Sequence, residues 1–130
     1  MSTNQKGLEF YDNLDLSQRK NEGELITVYQ KWASLYDKDN DDLLGTVSQP
    51  TAVQFFQEFV KDKKLKIVDV GCGTGLVGQE LKKSGFINFD GIDISQEMID
   101  IAYGRGYQNL FLGNLNESLP FKSKSYDASL

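Results

Sequence analysis

The stretch from Lys66 to Gly85 reads K-I-V-D-V-G-C-G-T-G-L-V-G-Q-E-L-K-K-S-G, and it constrains the fold more than any other part of the chain. Ile67, Val68 and Val70 form a short apolar run that stops at glycine, which predicts a buried strand. Glycines follow at positions 71, 73, 75 and 78. Glycine lets a backbone turn tightly and lets another group approach it closely. Leu76, Val77 and Leu81 then recur at helical spacing, and Gly85 suits the residue just past a helix end. A strand, a glycine turn and a helix are the opening of a βαβ unit.

The alternation continues downstream. Phe89, Ile92 and Ile94 predict a second strand. Ser95 can cap a helix carrying Met98, Ile99 and Ala102, which Gly104 and Gly106 end. Leu110, Phe111 and Leu112 predict a third strand, and Tyr126–Leu130 begins a fourth. The expected class is α/β, a Rossmann-like parallel sheet of about four strands preceded by N-terminal helices. The first helix runs from Glu24 to Tyr36, with Leu25, Tyr29, Trp32, Ala33 and Tyr36 on one face, and the acidic run Asp37–Asp42 breaks it. The second has Pro50 at its first position, Ser48 or Gln49 as cap, and a stripe of Val53, Phe56, Phe59 and Val60. Residues 1–22 read as a loose polar tail with one apolar cluster (Leu8, Phe10, Tyr11, Leu14, Leu16). Residues 23–130 read as the domain.

Composition narrows the functions. A chain of 130 residues allows one core. A net charge of −5 argues against general binding to nucleic acid or membrane surfaces, both of which are anionic. Lys61, Lys63, Lys64 and Lys66 form the one dense basic cluster and read as a solvated helix end. Histidine is absent, which removes the commonest general base and most zinc sites. Cys72 is the single cysteine, so no internal disulfide can form. No apolar signal core opens the sequence and no apolar run is long enough to span a membrane, so the expected location is cytoplasmic, with the nucleus also open. Asp37–Gly45 imitates a calcium loop, but its sixth position is Asp42 where glycine is needed and its twelfth is Ser48 where glutamate is needed. It reads as an exposed acidic connection, and no metal is expected.

The glycine loop carries two overlapping patterns. Gly71, Gly73 and Gly75 give G-x-G-x-G; Gly73, Gly75 and Gly78 give the dinucleotide fingerprint G-x-G-x-x-G. In either, the following helix points free N–H groups at a ligand. The fingerprint requires its first glycine directly after the strand. Here Gly71 makes that turn, which favours the first pattern. Asp69 would repel a pyrophosphate. It suits a cationic nucleoside such as S-adenosylmethionine, and it could also organise the loop by accepting backbone N–H bonds. Asp93 stands twenty residues after Gly73, where an acid can accept both hydroxyls of a ribose. A nicotinamide dinucleotide also contains ribose, so Asp93 does not choose between ligands. Its rival role is to cap the next helix.

Together, V-D-V-G-C-G-T-G, G-I-D-I-S-Q-E-M, G-N-L-N-E-S-L-P-F and S-Y-D-A-S-L resemble the class I S-adenosylmethionine-dependent methyltransferases. The upstream K-W-A-S-L-Y-D resembles the small methyltransferase-like proteins of the Williams–Beuren region group. The likeness covers roughly residues 25–130. It implies S-adenosylmethionine as cofactor, with Asp69, Gly71, Gly73 and Gly75 around its methionine part and Asp93 on its ribose. Ile94 and Met98 would pack on the adenine, Asn114 would reach the adenine edge beside Leu115, and Tyr36 would cover the cofactor. Each has a plainer rival: Ile94 and Met98 as core, Tyr36 as a helix-face aromatic, Asn114 as a turn former. The likeness implies methyl transfer to an acceptor the sequence does not name, by positioning a leaving group that is already activated. It names no catalytic base. Relatives of this class usually have seven strands, so the chain is expected to be truncated after the fourth, with an exposed sheet edge open to self-association. Two functions stay in view, a methyltransferase and a non-catalytic cofactor-binding or interaction module. A nicotinamide oxidoreductase is a distant third.

Overall fold

The structure is a computed structural model that describes residues 22–41 and 47–130. The expected tail, except Glu22, and the end of the acidic run at residues 42–46 lie outside the described residues. The elements are α1 (Glu22–Asp39), α2 (Ser48–Phe59), β1 (Ile67–Val70), α3 (Leu76–Lys83), β2 (Phe89–Asp93), α4 (Gln96–Ala102), β3 (Leu110–Leu112) and β4 (Ala128–Ser129).

The strands make one parallel sheet in the order β3-β2-β1-β4. Ile67 lies beside Phe89 and Ala128, and Asp93 beside Leu112. The chain moves from β1 to one side through β2 and β3, then returns to the other side for β4. The order therefore reverses at β1, and a crevice opens at the carboxyl end of that strand, where ligands of open α/β sheets bind.

One face of the sheet carries the core. Ile67 and Phe89 pack with Val53 of α2, Leu81 of α3 and Phe86, all with 1 % exposure or less. Phe56 meets Phe86 edge-on at 5.7 Å. Each such side chain contributes about 1.5–3 kcal/mol by leaving water. On the opposite face Asp90 is buried, accepting from the backbone and side-chain amides of Asn109 at 3.0 Å and from the Tyr126 hydroxyl at 2.7 Å. A row of edge-on rings, Phe111, Phe121 and Tyr126, runs along that face.

Local signals act as expected at two helix ends. Gly85 adopts φ +88°, and the Phe86 N–H donates to the Leu81 carbonyl, closing α3. The Ser95 hydroxyl accepts from the Met98 N–H at the start of α4. Three expectations change. The acidic run does not break α1 at Asp37. The helix continues to Asp39, because Asp39 accepts from the Trp32 indole N–H at 2.7 Å and is buried rather than exposed. Helix α2 begins at Ser48 without a side-chain cap, so Pro50 is its third residue. Proline is tolerated there because N–H groups of a first turn have no intrahelical partner. Phe59 is 83 % exposed. It comes six residues after Val53, which at 3.6 residues per turn takes it well off the stripe of Val53, Phe56 and Val60. Among the described residues no helix is long and apolar enough to cross a membrane.

Candidate functional site

The loop after β1 is built from glycine conformations. Gly71, Gly73 and Gly75 take φ of +72°, +54° and +89°, the left-handed region that side chains disfavour. The N–H groups of Gly71 and Cys72 donate to the Ile92 carbonyl at 2.9 and 3.0 Å, pinning the loop to the end of β2. Asp93 braces it further. One carboxylate oxygen accepts from the Gly73 N–H and the other from the Ser95 N–H, each at 2.9 Å. Each oxygen keeps further acceptor capacity for a ligand.

Beside this loop lies a cleft of about 180 Å³ lined by Tyr29, Tyr36, Gly71, Gly73, Asp93, Ile94 and Met98. A Cβ built on Gly71 or Gly73 meets nothing within 4 Å, so a side chain there would project into open space. Helix α1 supplies the aromatic wall. Trp32 stacks on Tyr29 at 6.1 Å and meets Tyr36 edge-on at 4.8 Å. Burial raises the Tyr36 hydroxyl above its ordinary range, so it stays a neutral donor.

A polar clasp fixes α1 against the loop. The Arg105 guanidinium donates to Asp37 at 2.6 Å and to the Thr74 carbonyl at 2.8 Å, and the Thr74 hydroxyl donates to Asp37. This one ion pair joins α1, the glycine loop and the turn after α4.

Beneath the loop Asp69 is 3 % exposed and accepts from the Tyr107 hydroxyl at 2.6 Å. Burial raises its carboxyl from 3.8 to about 6, Tyr107 opposes that rise, and the Asp93 charge adds to it. Burial, then the charges of Asp69 and Asp93, push the Cys72 thiol far up. A thiol held protonated is a poor nucleophile, so Cys72 serves as a small loop residue.

The third glycine of the competing pattern has a different explanation. Gly78 lies within α3, and a Cβ there would stand 2.4 Å from the Tyr107 ring. That glycine makes room for an aromatic side chain. The left-handed glycines of this loop number three and begin at the first turn after β1, as G-x-G-x-G requires.

Comparison with known proteins agrees. Residues 67–130 match the family model described as a methyltransferase domain. These residues are therefore those of a methyltransferase domain. Methyltransferase-like protein 27 of Homo sapiens is 38 % identical over 109 residues, covering 81 % of this chain and 44 % of that protein. The 18S rRNA (guanine-N(7))-methyltransferase of Bos taurus is 41 % identical over 71 residues, covering 54 % of this chain and 25 % of that protein. The chain thus spans less than half the length of these relatives. The plantazolicin methyltransferase BpumL, solved with a pentazolic desmethyl analogue and S-adenosylhomocysteine, aligns with a TM-score of 0.56 at 23 % identity, over 97 % of this chain and 48 % of that one. At that identity the likeness concerns the fold.

The structure gathers Gly71, Gly73, Asp93, Ile94 and Met98 of this methyltransferase domain around one cleft, with Tyr36 of α1 beside them. Met98 is also buried, so the cleft-lining and core positions coincide there. Asp69 is buried beneath the loop and Gly75 packs toward Tyr107 and Ala102, so neither lines the cleft. Asn114 and Leu115 follow β3 and do not line the cleft. The Asn114 amide oxygen accepts from the Asn116 N–H at 2.9 Å, the turn-forming geometry, and Leu115 is 52 % exposed. Gly113 donates to the Asp93 carbonyl, which keeps this turn beside the end of β2. Sequence reasoning missed Tyr29, Asp37, Arg105 and Tyr107. Tyr29 and Tyr36 are seven residues apart on one helix face, a spacing that could have paired them. Nothing local marks Arg105 or Tyr107.

Proposed function

We propose that this chain binds S-adenosylmethionine in the cleft beside the glycine loop and belongs to a protein that transfers its methyl group to an acceptor. The observation that carries the reading is the joint use of Asp93, which braces Gly73 and lines the cleft. The donor set suits a nucleoside with a cationic amino-acid arm. Asp93 offers acceptors for ribose hydroxyls, Ile94 and Met98 offer apolar surface for a purine, and Asp69 holds a carboxylate under the loop. A nicotinamide dinucleotide fits less well, because Asp69 under the loop would set a carboxylate beside its pyrophosphate.

When bound, the cofactor supplies a methyl group on sulfonium, a leaving group already activated. The chain's own contribution is placement. The glycine loop and Asp93 fix the nucleoside, while Tyr29 and Tyr36 wall the cleft from water. No residue here is assigned as a base, and a base matters only where the acceptor arrives protonated. The acceptor class stays open between small molecule and macromolecule. We read the location as cytoplasmic, with the nucleus also open, and the outer strand β3 as an edge through which copies could pair.

The decisive measurement is calorimetric titration of the folded chain with S-adenosylhomocysteine, with NADH in parallel. Saturable binding of the first alone supports the reading. Binding of NADH, or of neither by a chain folded by circular dichroism, overturns it. In the second case a non-catalytic interaction module becomes the better account.

A further inference from the structure

Tyr107 occupies a slot made of glycine. A Cβ on Gly75, Gly78 or Gly91 would come within 3.0, 2.4 or 2.9 Å of its ring. Phe89 meets the ring edge-on at 5.1 Å. Two glycines of the loop and its helix, and one from the middle of β2, therefore converge on one aromatic side chain from the segment between α4 and β3.

The hydroxyl at the end of that slot makes two bonds. It accepts from the Gly78 N–H at 3.1 Å and donates to Asp69 at 2.6 Å. Helix α3 starts after Gly75, which has no side chain to cap it. The third N–H of the helix would lack a partner without an outside acceptor. Tyr107 provides it from 29 residues away. The same oxygen then points its proton at the buried carboxylate, so the helix start and Asp69 are held in one geometry.

Building on the methyltransferase reading, we infer that Tyr107 is a positioning residue for the cofactor: its hydroxyl orients the Asp69 carboxylate under the glycine loop, so that the cationic amino-acid arm of the cofactor meets a fixed charge. A tyrosine that served only as filler would leave this arm no more affected than the rest of the nucleoside. The consequence is selective. Losing the hydroxyl should weaken ligands that carry the arm and spare those that lack it.

The test compares S-adenosylhomocysteine with 5′-methylthioadenosine, which has the nucleoside but no ammonium or carboxylate. Both are titrated calorimetrically into the whole chain and its variants, with circular dichroism as the fold control. Tyr107→Phe keeps the ring in its slot. It should lower S-adenosylhomocysteine affinity about tenfold, the scale of a hydrogen bond to a charged group, and change methylthioadenosine affinity less than about twofold. Asp69→Asn should produce the same selective loss, and it serves alone if Tyr107→Phe does not fold. In the Asp69→Asn background, Tyr107→Phe should add less than about twofold, because the two residues act as one unit. Equal losses for both nucleosides, no loss, or a full second loss in the Asp69→Asn background would overturn the inference. If the folded parent chain binds neither nucleoside, the cofactor reading itself fails and the inference falls with it. If the parent binds both and the variants keep its selectivity, the inference alone fails.

Discussion

Gly78 and Tyr107 are mutually exclusive with any larger residue at position 78: a Cβ there would stand 2.4 Å from the tyrosine ring. The ring cannot easily withdraw, because Gly75, Gly91 and Phe89 bound it on other sides. Alanine favours a helix over glycine by about 1 kcal/mol, whereas overpacking costs about 1–3 kcal/mol. Gly78→Ala should therefore destabilise the parent by about 1 kcal/mol, and by no more than about 2 kcal/mol, in chemical denaturation. In a Tyr107→Ala background the sign should reverse, since the clash is gone and the helix preference remains. A stabilising Gly78→Ala in the parent would show that the slot is looser than its geometry.

Asp69 makes stability depend on pH in an unusual direction for a carboxylate. Its carboxyl is raised from 3.8 to about 6, so the folded state keeps its proton to higher pH than the unfolded chain does. Its contribution is fully present below about pH 4 and is lost as pH rises to about 6. Two units correspond to about 3 kcal/mol as an upper scale. Asp69→Asn removes the charge and keeps an oxygen for the Tyr107 hydroxyl. It should raise the melting temperature at pH 8 and leave it nearly unchanged at pH 4. A gain of equal size at both values would refute the assignment.

Asp93 is asked to brace the loop and to receive the ligand. Asp93→Asn keeps one amide oxygen for Gly73 or Ser95 but cannot accept from both. We expect S-adenosylhomocysteine binding to weaken by about 1–3 kcal/mol, the cost of a lost bond to a charged acceptor. A second effect should accompany it: faster hydrogen exchange at the Gly73 and Ser95 amides. Unchanged affinity in a folded variant would move the ribose away from Asp93.

The clasp of Arg105 with Asp37 predicts a local opening. Both side chains are mostly buried, at 20 % and 29 % exposure, so the pair is more than a surface contact. Arg105→Met removes the charge and keeps the stem. Helix α1 should then show faster hydrogen exchange and earlier proteolysis, while β1 and β2 keep their protection. Uniform loss of protection across the sheet would mean that the clasp supports the whole fold instead.

Much of this protein was legible in its sequence, because the signals that set it are local. A strand that stops at glycine, three glycines at alternate positions, a serine before a helix and a glycine after one each depend on backbone conformations that few residues allow. The run from Ile67 to Leu112 follows from them, as do Gly71, Gly73 and Asp93 beside one cleft. Residues 1–21 and 42–46, with the tail and part of the false calcium loop, lie outside the described structure.

What remained hidden depends on distance along the chain. Asp37 read as the end of a helix, yet it binds Arg105, 68 residues later. Asp69 read as a carboxylate for a cationic ligand or an acceptor for its own loop, yet its hydrogen-bond partner is Tyr107, 38 residues later. Gly78 read as part of a nucleotide fingerprint, yet it is glycine because a tyrosine from another segment needs the space. Sequence determines which backbone conformations are cheap at each position. Only the packed fold decides which side chains meet, because the low dielectric and tight packing of the interior reward specific pairs that no local pattern encodes.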